Sequence, residues 1–231
     1  MPRVASAEWA VLCPVCLLTS ALAFDDGPCP YQVLAPIEER PGSTSYLAHE
    51  KSGRHEYVEL ELFSSRDDGD LVLQRFAQWK ARLEGFSHPG VARLVGAGRT
   101  EAGQLYLATD YVPGYVLTAQ GPHGGTRPSD RYGLALQVAT AMAAVHAAGL
   151  AHLALTPARV KVSTVNGLRG TVVGIGRALV LDDVQPSPEP DLRAVASILD
   201  LLGFHLPGHP YPSMAGVVEA LAAASAGRGE A

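Results

Sequence analysis

The stretch His152-Leu153-Ala154-Leu155-Thr156-Pro157-Ala158-Arg159 decides how the chain is read. On its N-terminal side lies a long alanine-rich apolar segment ending in Ala147-Ala148-Gly149. On its C-terminal side lies a β-branched run, Val160 to Val165. The apolar segment carries Leu134, Val138, Met142 and Val145 at helical spacing, Asp130 can cap its start, and Gly149 can end it. The octet is therefore a loop between a helix and a strand, and it holds a histidine, a proline and an arginine. Ala154 contributes a methyl group and Arg159 a guanidinium; neither accepts a proton or ligates a cation.

The octet resembles the catalytic loop of protein kinases, H-R-D-L-x-x-x-N, at His152, Leu155 and Pro157. Ala154 stands where the resemblance puts the base Asp, Arg159 where it puts the metal-binding Asn, and Thr156 where Ser/Thr kinases carry a Lys. Further matches flank it. Leu107-Ala108-Thr109-Asp110-Tyr111-Val112-Pro113 is similar to the last small-lobe strand and the hinge, with Asp110, Tyr111 and Val112 at the hinge itself. Asp191 to Leu199 resembles the central helix of the large lobe, whose Asp braces the backbone of the catalytic loop; Asp191 would keep that structural part beside His152 and Pro157. Tyr211-Pro212-Ser213-Met214, followed by Val217, Val218 and Leu221, resembles the family's last helix.

The resemblance implies an α+β, bilobal, protein-kinase-like fold. Residues 31–113 would form a small antiparallel sheet with one helix, and 114–224 a shortened, mainly helical lobe. Residues 225–231 would be a tail. Between Leu179 and Asp191, and again between Gly203 and Pro210, the chain is too short for the activation segment and the helices the family places there.

Within the small lobe, Tyr31 to Ile37, Thr44 to Ala48, Tyr57 to Phe63, Val91 to Ala97 and Gln104 to Tyr111 read as strands. Asp70 reads as the N-cap of a helix carrying Leu73, Phe76, Lys80 and Leu83. The segment 38–43 sits where kinases carry a glycine-rich phosphate loop, and its three glycine positions read Glu38, Arg40 and Ser43. A solvated turn is the plain reading. Val58-Glu59-Leu60-Glu61 is similar to V-A-I-K, with Glu61 at the lysine; the plain reading makes Glu59 and Glu61 a solvated strand face. Trp79 falls at the paired Glu of the helix and would fill volume beside Phe76 and Leu83, and Lys80 lies about 100° round the helix from it.

Two strand candidates, Val160 to Val165 and Gly170 to Val173, follow the loop through Asn166-Gly167. At the end of the second, D-F-G would read Val172-Val173-Gly174, which makes the magnesium-binding Asp a valine. A slipped alignment would instead let Leu181-Asp182-Asp183 end a strand and supply a carboxylate.

Residues 1–30 stay open between three readings. They suit a signal peptide with Ala21-Leu22-Ala23 as its cleavage box. They suit a metal or redox site on Cys13, Cys16 and Cys29. They also suit the remnant of a short zinc ribbon found before some bacterial kinase domains. Three cysteines are too few for a disulfide framework, which favours a reducing, cytoplasmic setting; a cleaved leader would mean export. A net charge of -5 with no basic run excludes a nucleic-acid footprint, and no apolar run reaches the ~20 residues of a membrane span.

The pattern of loss points to a pseudokinase that needs neither ATP nor magnesium. The missing large-lobe helices are expected to leave the faces around Leu134 and Ile198 partly uncovered, for a protein partner or self-association. A divergent kinase or nucleotide-dependent transferase using Asp182, Asp183, Glu59 or Glu61, and a decaying fragment without a role, are the alternatives.

Overall fold

The computed structural model describes residues 30–51, 57–64, 68–100, 103–118, 127–164, 167–182, 184–206 and 211–226. These residues form two compact units. The first comprises 30–64 with 98–106, and the second 68–97 with 107–226.

The first unit is built on β1 (Tyr31–Arg40), β2 (Ser43–Glu50) and β3 (Val58–Phe63), each antiparallel to the next. The start of β5 (Leu105–Asp110) and the end of β4 (Val91–Arg99) follow β3 in the sheet. Only Pro41 and Gly42 turn the first hairpin, with Gly42 at a φ of +82°. Arg40 pairs with Ser43 and Glu38 with Ser45, so the expected solvated loop at 38–43 is mostly paired strand. Two register shifts in β1 bracket Pro36, which has no N–H to give the ladder. Val58, Leu60 and Leu62 are buried on one face of β3, as alternation requires.

The second unit contains α1 (Gly69–Gly85), β6 (Tyr115–Val116), α2 (Pro128–Ala147), β7 (Val160–Ser163), β8 (Arg169–Ile175), α3 (Arg177–Leu181), α4 (Pro188–Leu201) and α5 (Met214–Ala226). The start of β4 runs parallel to β8, β8 antiparallel to β7, and β7 antiparallel to β6. α1 groups with these elements because Arg75 reaches the carbonyl of Leu181 and Arg82 that of Gly149, both at 3.4 Å. It starts at Gly69 after Asp68, so Asp70 lies in the first turn instead of capping. α2 likewise starts at Pro128, whose missing N–H costs nothing there, and Asp130 favours the positive end of the helix dipole.

Leu134, Ala135, Val138, Ala139, Ala141, Met142 and Val145 of α2 are all buried, so this helix is the core of the unit. It ends in a Schellman motif: Gly149 donates to the carbonyl of His146 and Leu150 to that of Val145. α4 ends in the same way through Gly203 and Phe204. The expectation of partly uncovered faces does not hold. Leu134 and Ile198 are 2% and 0% exposed. α5 packs on α2, with Met214, Val217 and Leu221 buried, and Phe204 sets its ring edge on Tyr132 at 6.0 Å. Among the described residues, no helix is long and apolar enough to cross a membrane.

Two glycines separate backbone freedom from steric need. A Cβ on Gly42 would meet nothing within 4 Å, whereas one on Gly114 (φ +142°) would lie 2.5 Å from the carbonyl oxygen of Val162. Gly42→Ala is expected to cost about 1 kcal/mol and lower Tm by about 2–4 °C. Gly114→Ala must displace backbone and is expected to lower Tm several times further; equal shifts in a thermal melt would refute the difference.

Candidate functional site

A buried carboxylate organises the loop that follows α2. Asp191 lies in the first turn of α4 and is 0% exposed. Its Oδ2 accepts the backbone N–H of His152 at 2.8 Å, and its Oδ1 accepts that of Leu153 at 2.7 Å. His146, on the last turn of α2, adds a third contact from Nε2 to Oδ2 at 3.0 Å. Leu153 has a φ of +66° and is the only non-glycine with positive φ among the described residues. For such a residue the left-handed conformation costs about 1–2 kcal/mol. Asp191 opposes that cost by fixing the N–H groups on both sides of the His152–Leu153 link. Stripped of these donors, the carboxylate would be a buried charge without partners.

His152 is 2% exposed, and its Nε2 lies 3.0 Å from the carbonyl oxygen of Val173, to which it donates. Its Nδ1 is buried without a partner. Burial holds its pKa below the usual histidine value, and Arg159 pushes the same way; Asp191 and the Val173 carbonyl only partly oppose them. The neutral ring with its proton on Nε2 satisfies the geometry, since a proton on Nδ1 would be buried with no acceptor.

Arg159 closes a 3₁₀ turn, Pro157–Arg159, and lies against Gly174: a Cβ there would be 3.8 Å from Arg159 Nη1. Ala154 and Thr156 are exposed on the same loop. Val172, expected at the end of its strand, is fully buried in the middle of β8, in register with Val160 and Val91. The strand continues through Ile175, which is 0% exposed and pairs with Arg93. Gly174 and Gly176, both at a φ of +90°, close it. Asp182 ends helix α3, its N–H bonded to the carbonyl of Ala178, and so does not end a strand as the slipped reading required. Asp183 and the three cysteines, Cys13, Cys16 and Cys29, lie outside the described residues.

In the first unit the expected solvated strand face is absent at Glu61, which is 6% exposed. Ser43 Oγ donates to Glu61 Oε1 at 2.8 Å, and Arg40 Nη1 lies 3.9 Å from the same oxygen. Arg40 also binds Glu38. Burial lowers the Arg40 pKa, but the hydrogen bond and charge of Glu38, with Glu61 and Glu59, outweigh it and leave it raised. Cross-strand register explains the cluster: Ser45 is opposite both Glu38 and Glu61, which places these side chains on one face.

Three solved structures share this arrangement of elements. A crystal structure of the Mycobacterium tuberculosis PknI kinase domain, in a mutant form with one cysteine replaced by alanine, superposes with a TM-score of 0.57 at 18% identity, covering 84% of this chain and 81% of that one. The PknI kinase domain without that substitution gives 0.54 at 19% identity, covering 87% and 96%. Rad53 1-466 in complex with AMP-PNP gives 0.57 at 16% identity, covering 80% and 52%. The chain has a protein kinase fold. No protein-family model and no curated protein matches it by sequence.

Trp79 is half-buried with the Arg82 guanidinium 5.2 Å from its ring centre, so it takes part in a surface cation–π contact instead of filling the core. Lys80 pairs with Glu84 at 3.8 Å on the exposed side. At the hinge, Asp110 Oδ2 accepts both the backbone N–H and the Nε–H of Arg93, at 3.1 and 3.3 Å, while Tyr111 and Val112 are half-buried. Sequence reasoning missed Arg93 and His146. The only signal for His146 was its place four residues after Met142 on the buried stripe of α2.

The neutral His152 makes stability depend on pH. Its folded pKa is depressed, so the unfolded chain takes up a proton near the ordinary value of about 6.5 that the folded chain resists. Its contribution is whole above that pH and is lost as pH falls below it. His152→Leu should be less stable than the parent by about 1 kcal/mol at pH 8, from the lost bond to Val173. The gap should close toward pH 5 in denaturant titrations, because the other histidines are common to both proteins. A gap that stays constant with pH would contradict a buried neutral His152.

Proposed function

We propose that this chain is a pseudokinase: a protein-kinase-like module that works by binding a protein partner and not by phosphoryl transfer. The observation that carries this is the closeness of Arg159 to Gly174, where a Cβ would lie 3.8 Å from the guanidinium. β8 runs two residues further than expected, so Gly174-Ile175-Gly176 is the triplet that corresponds to D-F-G in this reading. The kinase Asn and Asp meet over magnesium. Their equivalents here are a guanidinium and a glycine, which offer positive charge and no side-chain ligand.

The other positions agree. Ala154 has no basic atom for a substrate hydroxyl. Glu61, at the lysine position, is engaged by Ser43 and Arg40. Glu38 and Arg40 pair with each other on the strands where family members carry glycine N–H groups. These residues do not fit ATP with magnesium, and no catalytic step is derived through them. The positions retained are those that hold backbone: Asp191, His152 and the hinge. With Leu134 and Ile198 covered, the case for a partner rests on the lost chemistry beside a maintained frame.

The direct test is thermal melting with 1 mM ATP and 5 mM magnesium or manganese. A ligand present at about 100 times its Kd adds about 2.7 kcal/mol, which is about 5–10 °C for a domain of this size. The expected shift is under 1 °C. A rise of several degrees that chelation removes would contradict the proposal.

A further inference from the structure

A concavity lies in the second unit, and neither Asp191 nor the loop it holds lines it. It has a volume of about 340 Å³ and is lined by His88, Pro89 and Gly90, by Leu136, Gln137 and Thr140 of α2, and by Arg169 and Gly170 of β8. That volume suits a small organic ligand. Its wall is preformed. The Gln137 side chain accepts the N–H of Gly170 at 2.6 Å and donates to the carbonyl of Leu168 at 3.3 Å, which ties the start of β8 to α2. Gly90 is equally constrained, since a Cβ there would lie 3.3 Å from both Ala141 Cβ and the His88 ring.

The polar groups left over are donors. His88 Nδ1 accepts the N–H of Gly90 at 3.1 Å, so the ring proton is on Nε2. Arg169 is exposed and makes no ion pair among the described residues, and Thr140 is an exposed hydroxyl on the same rim. Among the described residues, no carboxylate lines the pocket. Leu136 and Pro89 supply apolar surface beside these donors.

We propose that this pocket binds a small organic anion, with an apolar body against Leu136 and Pro89 and a carboxylate or phosphate met by Arg169, His88 and Thr140. The guanidinium supplies a charge-assisted bond that a neutral isostere cannot make. The site is independent of the kinase positions and of whether the chain transfers phosphate.

The test uses the full chain, labelled with ¹⁵N, titrated with 2-naphthoate and with neutral 2-naphthamide. Naphthoate is expected to shift the amide signals of Gly90, Thr140 and Gly170 saturably. Arg169→Gln should weaken it about tenfold, the loss of one charge-assisted contact, while naphthamide binding stays unchanged. Thr140→Glu, on the exposed side of α2, should weaken naphthoate at least as much. Absence of saturable shifts at those amides up to millimolar naphthoate would overturn the proposal. So would equal naphthoate affinity for the parent and Arg169→Gln, which would mean an apolar crevice beside a solvated arginine.

Discussion

One buried carboxylate carries the local architecture of the second unit. Asp191 has no solvent to stabilise its charge, so its oxygens must be met by protein donors, and they are: the N–H groups of His152 and Leu153 and the ring of His146. The three donors come from the end of α2 and from the loop after it, and the acceptor comes from the start of α4. Removing the carboxylate leaves a left-handed leucine without the two N–H bonds that hold it. The contact therefore joins the end of α2 and the loop after it to a helix about 40 residues further on. His152 then extends the connection to β8 through Val173.

A loop held this firmly is what phosphoryl transfer requires, because positioning and charge do most of that work. In the proposed reading the positioning remains and the charge pattern is reversed. Arg159 lies near Gly174, and Arg40 and Ser43 meet Glu38 and Glu61 in one cluster on the sheet of the first unit. A glutamate buried in a strand, as Glu61 is, would be costly without partners. The arginine and serine on the facing strands prevent that.

Much of this was legible in the sequence. Alternation identified the strands, the apolar stripe and Gly149 identified α2 and its end, and the resemblance of Asp191 to Leu199 to the central large-lobe helix of kinases pointed to the brace. What failed did so for physical reasons. Charged residues at alternate strand positions normally face water, so nothing in Val58-Glu59-Leu60-Glu61 announces that Arg40 and Ser43 lie across the hairpin to bury Glu61. Glycine is a poor strand former, so β8 was read as ending before Gly174, although Ile175 beyond it is buried and paired. The faces at Leu134 and Ile198 were expected partly bare because helices were counted as missing. That count did not foresee α5 packing on α2, or the Phe204 ring against Tyr132. His146 was invisible because a histidine on a buried stripe is usually a core residue, and its partner is far away in sequence.

The proposed reading is a kinase-like frame without phosphoryl transfer. Incubation of the purified chain with γ-labelled ATP, magnesium or manganese, and a mixture of protein acceptors tests it most directly. The account predicts no label on the chain or on any acceptor above a no-protein control. Label that accumulates in proportion to the concentration of the chain, and that disappears in an Asp191→Ala variant, would contradict it.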